Sequence, residues 1–344
     1  MPAYPNFPDQ CHSLLRQYLT PEVFEKLRNR KTTKGFTLMQ AINSGVQNPD
    51  SSIGVYAGDT ESYEVFSPLF DPIIKNYHNF SHEDQHQSDL DLSKLHTDDL
   101  DPENQYILST RIRVGRNLST HALGPGITKE GREDVEHQVS TALLSLEGEL
   151  HGDYYPLEGM SDTVRDQLIK DHFLFKTGDR FLEAAGLNRD WPSGRGIFHN
   201  TDKTFLVWIN EEDQLRIISM QQGGDILTVF TRLVKAIQEL ENVLSFSHTK
   251  HLGYITSCPT NLGTAMRASV HIKLPKLAQD IKRFEAITEQ YALQIRGING
   301  EHSESEDGIF DISNRRRLGI TEIECVQSMH DGVAALIAAE KSLS

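Results

Sequence analysis

From residue 11 to about residue 75 the apolar positions recur at helical spacing. Leu14, Leu15, Tyr18 and Leu19 form one stripe. Val23, Phe24 and Leu27 form the next, after Thr20-Pro21, a hydroxyl N-cap with proline at the first helical position. The pattern predicts a small, all-helical N-terminal unit. Between Phe80 and Gln105 the chain turns polar and acidic, the composition of a solvated linker or of a strap along the surface. Beyond it the period becomes two. Tyr106–Val114, Thr204–Ile209, Leu215–Met220, Tyr254–Thr256 and Ser269–Leu274 all have strand character. The last stretch, Thr321–Leu343, opens with a capping box (Thr321, Glu324) and carries Ile323, Val326, Met329, Val333, Leu336 and Ile337 on one stripe. The expected class is α+β: a helical domain over residues 1–95, and a larger domain over 96–344 in which helices flank an antiparallel sheet.

Composition narrows the picture. A chain of 344 residues with 38% hydrophobic and 24% charged residues suits a soluble globular protein of two domains. No stretch approaches the apolar length that spans a bilayer, and residues 1–30 lack a signal core, so the cytoplasm is the expected compartment. Cys11, Cys258 and Cys325 show no C-x-x-C spacing, which argues against a disulfide framework or a zinc site. His82 and His86 have the spacing of a metal pair but no further ligands to match, and the linker reading is preferred. A formal charge of −15 disfavours nucleic acid as a partner. A polyphosphate would need a local basic pocket in this acidic protein.

Arginines supply such a pocket. Arg111 and Arg113 are two apart on a predicted strand and share a face, while Ile112 and Val114 take the other. Alone, the pair reads equally as a solvated basic edge. Arg267 lies at the start of the face that bears Ser269 and His271, Arg216 follows the Asn210–Asp213 turn, and Arg296 closes an apolar stretch before a glycine-rich loop. Five arginines from four segments suit one triphosphate, because the guanidinium fork binds phosphate oxygens in pairs and stays charged. Neither GxxxxGK[ST] nor GxGxxG occurs, so side chains rather than a backbone cradle must hold the phosphates. Glu211, Glu212 and Asp213 read either as a polar turn or as working carboxylates. Glu301 lies in an acidic loop, 297–308, bounded by glycines, a candidate lid. Cys258 follows a strand, with the Thr256 and Thr260 hydroxyls and the arginines as possible supports for a thiolate.

The heptapeptide Cys258-Pro-Thr-Asn-Leu-Gly-Thr264 resembles the signature of the phosphagen (guanidino) kinases. The likeness extends through Ser109–Asn117, Arg189–Gly196 and Phe205–Glu212. This resemblance implies a helical N-terminal domain and a catalytic C-terminal domain. It implies ATP or ADP bound by Ser109, Arg111, Arg113, His172, Arg216, Arg267, His271 and Arg296, and catalysis by Glu212, Glu301 and Cys258. The guanidino substrate would be held by the loop residues Ser52, Ile53, Gly54, Val55 and Tyr56 together with Glu212, Cys258 and Glu301. The short loop Asn48–Tyr56, Tyr77 and the Gly300–Glu306 segment resemble the members that use arginine, although many of those have glycine where Ser52 stands.

The activity so implied is reversible transfer of the γ-phosphoryl group of MgATP to L-arginine. Taurocyamine, lombricine and creatine are the alternative acceptors. Mg²⁺ would be held mainly through the nucleotide phosphates, without a dedicated protein metal site. Nucleic acid and membrane are not expected partners, and either a monomer or a homodimer is expected. Two rivals remain. A nucleotide-binding scaffold without chemistry would not need the full set of arginines, Cys258, Glu212 and Glu301. A kinase of protein arginines would lack the helical unit with its loop at 44–56.

Overall fold

The computed structural model describes every residue except 1, 172, 176, 298–307 and 344. The N-terminal unit holds α1 (Leu14–Tyr18), α2 (Pro21–Leu27), α3 (Leu38–Gln47), α4 (Ser62–Val65) and α5 (Ser67–His78). Thr20 caps α2 through its side chain, and Thr37 and Gln40 form a capping box on α3, so helix starts are set by local hydroxyl chemistry.

The larger unit is built on ten strands: β1 (Ile107–Arg116), β2 (Gly152–Pro156), β3 (Gly196–Asn200), β4 (Phe205–Ile209), β5 (Leu215–Gln222), β6 (His248–Thr249), β7 (Gly253–Tyr254), β8 (Met266–Lys273), β9 (Leu293–Arg296) and β10 (Ile309–Asn314). Eight of them form one antiparallel sheet in the order β2-β3-β4-β5-β1-β8-β10-β9, and β6 pairs with β7. Its helices are α6 (Lys129–Leu144), α7 (Asp162–Lys170), α8 (Arg180–Ala184), α9 (Ile226–Glu241), α10 (Ile281–Gln290) and α11 (Glu322–Ser342). The α+β expectation holds, with a small helical domain and a larger one in which helices flank an antiparallel sheet.

Alternation along β1 divides the sheet into two faces. Ile112 and Val114 join Val207, Ile217, Ala268 and Val270 in the main core under α6, α9 and α11. The opposite face is apolar at its β3–β5 end, where Ile197, Leu206, Trp208 and Ile218 pack with Leu168 and Phe175. From β5 through β10 that face carries charge.

One expectation needs correction. Residues 254–256 do not continue as a strand beyond Tyr254. The backbone instead turns to meet other segments, with the Ile255 amide on the Ser247 carbonyl and the Ser257 amide on Asp213. Of the two readings of the acidic stretch after Phe80, it is the strap along the surface that is met, and not the free solvated linker. The His86 amide donates to the carbonyls of Lys250 and His251, Ser88 and the Asp89 amide donate to Glu322 at 2.6 and 2.8 Å, and Leu95 is buried in the main core.

The two units share apolar packing. The helical core includes Leu252, Ile255, Cys258, Leu262 and Leu318 from the larger unit. The loop over residues 51–56 is seated on the helical unit itself. The amides of Leu14 and Leu15 donate to the carbonyls of Ser52 and Ile53, and the Tyr56 amide donates to Ala41. At the tightest point a Cβ on Gly45 would lie 2.5 Å from the Gly54 backbone, and Gly54 itself has φ +83, open to glycine at no steric cost. Gly45→Ala is therefore expected to destabilise the protein by about 1–3 kcal/mol, as overpacking does; urea denaturation measures this, and an unchanged midpoint would refute the close approach.

Candidate active site

The charged face is set by register. Arg113 stands opposite Arg267, Arg111 opposite Ser269 and Ser109 opposite His271 across β1 and β8. Asp311 on β10 pairs with His271 on one side and Arg296 on the other. On β5, Arg216 lies opposite Gly115. The structure thus brings Ser109, Arg111, Arg113, Arg216, Arg267, His271 and Arg296 onto one face of five strands. His172 and Glu301, and nearly all of the expected lid, lie outside the described residues.

Charge is only partly balanced there. Arg216 is held by Glu211 at 2.8 Å and Glu212 at 3.1 Å, and Arg267 by Asp311 at 2.8 Å, with the ring of His271 3.7 Å from the same carboxylate. Arg111 and Arg113 have no ion pair of this kind among the described residues. Burial and the neighbouring Arg216 push Arg111 down to about 10 and Arg113 well below its ordinary value. Two guanidiniums that the fold crowds together and leaves unbalanced create a demand for an anion. Two narrow clefts, each of about 20 Å³, meet at Arg113 and Arg267.

Some residues of the site escaped the sequence reading. Trp208 lies in the apolar floor with the Arg111 and Arg216 guanidiniums 5.4 and 5.6 Å from its ring centre, a cation–π arrangement. Arg317 lines the cleft with Arg113 and Arg267. Three successive arginines, 315–317, in an acidic chain were the available signal for it. Asp311 carried no such signal.

At the edge of the arginine face sits the β4–β5 hairpin turn. Asn210 takes φ +56, and its side chain donates to the carbonyls of Arg132 and Gly194, which pins the turn. Asp213 accepts from Asn117 and from the Ser257 amide, both at 2.8 Å, and Ser257 donates to the Glu212 carbonyl at 3.1 Å. The turn and the Cys258 segment are therefore bound to one another. Asn261 completes the link, donating to Glu212 at 3.4 Å.

Burial raises Glu212 to about 7, with Arg216 pulling the other way and Asp213 adding to the rise. Cys258 is likewise pushed up to about 12 by burial and then by Glu212, against its contact with the Thr260 hydroxyl at 3.1 Å. Thr256 donates to the Cys258 carbonyl, not to sulfur. Burial first, and then the carboxylates of the turn, oppose a thiolate here, while the Thr260 hydroxyl supports one. The loop over residues 51–56 reaches the same place: the Ala57 amide donates to the Ser257 carbonyl at 2.8 Å, and the buried Tyr56 hydroxyl lies within the field of Cys258 and Glu212.

Residues 9–75 match the family "ATP:guanido phosphotransferase, N-terminal domain" and residues 134–343 match "ATP:guanido phosphotransferase, C-terminal catalytic domain". The chain belongs to the ATP:guanido phosphotransferase family. It is 58% identical to an arginine kinase of Anthopleura japonica over 97% of its own length and 48% of that protein. It is 55% identical to the arginine kinase of Artemia franciscana, over 96% of this chain and 94% of the relative. Among solved structures, the duplicated taurocyamine kinase from Schistosoma mansoni superposes with TM-score 0.91 and 47% identity, over 97% of this chain and 47% of that one. A lombricine kinase superposes with TM-score 0.91 and 41% identity, over 98% and 94%. The chain thus spans about half the length of the Anthopleura and Schistosoma proteins and nearly all of the others. No helix among the described residues is long and apolar enough to cross a membrane.

The raised Glu212 carboxyl has a consequence for stability. Below its ordinary range the group is protonated in both the folded and the unfolded chain. As pH rises towards 7 and above, the unfolded chain ionises more readily, and folding loses that difference. Glu212→Gln is expected to gain stability relative to the parent as pH rises from 5 to 8, an advantage that shrinks as pH falls again. Denaturant melts at the two pH values test this, and an advantage independent of pH would contradict it.

Proposed function

We propose that the chain catalyses reversible transfer of the γ-phosphoryl group of MgATP to L-arginine, giving phosphoarginine and ADP, as a cytoplasmic energy buffer. The observation that carries the reading is the arginine face that ends at Glu212 and Cys258, with the short loop over residues 51–56 tied to the same segment. Residues 1–95 would supply the guanidino-substrate loop and 96–344 the nucleotide site, in a monomer or homodimer.

Phosphoryl transfer asks for alignment and charge neutralisation, since the transferring group carries its charge on equatorial oxygens. Arg111, Arg113, Arg216, Arg267 and Arg296 would bind the phosphates, with Ser109, His172 and His271 beside the nucleotide. The carboxylates now on Arg216 and Arg267 hold those side chains in place for an anion. Mg²⁺ enters as part of the substrate MgATP, coordinated chiefly by phosphate and water. The loop Ser52, Ile53, Gly54, Val55 and Tyr56 would grip the arginine carboxylate.

Glu212 and Glu301 would pair with guanidino nitrogens and align the attacking one. As the N–P bond forms and the bond to ADP breaks, the nitrogen's proton passes to a carboxylate, and a base held near 7 suits that role at neutral pH. Cys258 would contact the non-attacking side of the guanidino group. The incoming guanidinium is the cation that a thiolate there requires.

A second reading, another guanidino acceptor such as taurocyamine or lombricine, is favoured by the close structural match to kinases of those compounds. The higher identity to arginine kinases favours arginine. A coupled ADP-release assay across arginine, creatine, glycocyamine, taurocyamine and lombricine separates them, with turnover of arginine expected and preference for another guanidine overturning the assignment. Glu212→Gln is expected to lower kcat by roughly 10²–10⁴-fold without weakening ADP binding, and Cys258→Ala to lose most of kcat. An unimpaired Cys258→Ala enzyme would remove the role given to the thiol.

A further inference from the structure

The segment that carries Cys258 has few means of fixing itself. Pro259 has no amide hydrogen, and the turn at Pro259–Asn261 is a single short one. Three of its carbonyls, those of Thr256, Ser257 and Pro259, accept from donors that belong to the helical unit. The Tyr63 hydroxyl donates to the Thr256 carbonyl at 2.7 Å, the Ala57 amide to Ser257 at 2.8 Å, and His78 Nε2 to Pro259 at 2.8 Å. They bracket Cys258 on both sides. Because the partner of His78 is a carbonyl oxygen, Nε2 must carry the hydrogen and donate it. Burial pushes the ring down to about 4, so it is neutral at working pH.

From the opposite side Arg317 holds the next carbonyl, Thr260, at 3.0 Å and the Asn261 side chain at 2.8 Å. Asn261 in turn donates to Glu212. Thr256, whose carbonyl is held by Tyr63, donates its own hydroxyl to the Cys258 carbonyl at 2.8 Å. The last turn of α5 and the start of α4 thus connect, through one backbone segment, to both the thiol and the carboxylate of the site.

We propose that His78, assisted by Tyr63, is a positioning residue that sets the Cys258 sulfur relative to Glu212 by holding the carbonyls on either side of it. The helical unit then does more than carry the substrate loop: it fixes the geometry of the reacting end. This rests on the reading that Cys258 contacts the guanidino group. A purely structural histidine would contribute to stability alone. A positioning one governs the alignment of the transferring groups, and misplacement of that order is costly in kcat rather than in nucleotide affinity.

The test uses His78→Leu, His78→Gln and Tyr63→Phe in the full chain. Gln places a donor where Nε2 stands and serves as the conservative rescue. The readouts are kcat with arginine and MgATP, the Kd for ADP, and the rate of iodoacetamide alkylation at Cys258 without substrates, followed by mass spectrometry of its peptide. His78→Leu is expected to lower kcat about tenfold, change the alkylation rate at least about threefold, and leave the ADP Kd within about twofold. His78→Gln should restore kcat and alkylation to near parental values, and Tyr63→Phe should shift both in the same direction as His78→Leu.

Parental kcat and alkylation in His78→Leu overturn the proposal, as does a parallel loss of ADP affinity or failure of Gln to rescue. Should His78→Leu not fold, Tyr63→Phe decides, and an unchanged alkylation rate there overturns it. Failure of the wider reading appears differently, as a fully active Cys258→Ala enzyme, while the alkylation rate still reports on the clamp.

Discussion

The constraint on which this molecule turns is the unbalanced positive charge on one face of a central strand. β1 is paired on both edges and packed beneath helices, so its alternation must put one set of side chains into the main core and the other onto the opposite face. Ile112 and Val114 fill the core. Arg111 and Arg113 are forced onto the other face, where the antiparallel register brings Arg267 beside them. In so dry a place each guanidinium weakens its neighbour's hold on a proton, and among the described residues carboxylates pair with Arg216 and Arg267 but not with Arg111 or Arg113. An anion is the missing partner.

The same face explains the placement of the other groups. At its β3–β5 end it is covered by an apolar cluster, and Trp208 marks the border, presenting its ring to Arg111 and Arg216. Beyond Arg216 the hairpin turn offers Glu211 and Glu212. A phosphate among the arginines and a cation near Glu212 would therefore lie side by side on a continuous surface, one end positive and the other negative. Burial, which depresses the arginines, raises Glu212, and a partner of opposite charge would offset each shift.

A second feature is that the two units are not separable around this surface. Their apolar packing is continuous through Ile255, Cys258 and Leu262, and the hydrogen bonds from Ala57, Tyr63 and His78 all end on carbonyls of 256–259. The acidic strap after Phe80 is held similarly, through His86, Ser88 and Asp89. Polar composition made that strap resemble a linker, yet it is bound through main-chain groups that composition does not reveal.

What the sequence alone determined is what short-range chemistry and periodicity control. Thr20-Pro21 and the Thr321–Glu324 box marked helix starts, the period-two runs marked β1, β4, β5 and β8, and Arg111 with Arg113 could only share a face. Short strands with few alternating positions were missed, β2 (Gly-Asp-Tyr-Tyr-Pro) and β3 (Gly-Ile-Phe-His-Asn) among them, because their pairing comes from neighbouring strands. Only the tertiary structure decided that Asp311 would meet Arg267, that Trp208 would underlie two guanidiniums, and that His78 and Tyr63 would hold the carbonyls beside Cys258. It also placed that thiol beside Glu212 in a buried setting that raises it, where the sequence had offered hydroxyl and arginine neighbours as possible supports for a thiolate. The reason is the same in each case. These contacts join residues 8 to nearly 200 positions apart, and both hydrogen bonds and electrostatic shifts depend on distance and burial, quantities that exist only once the chain has folded.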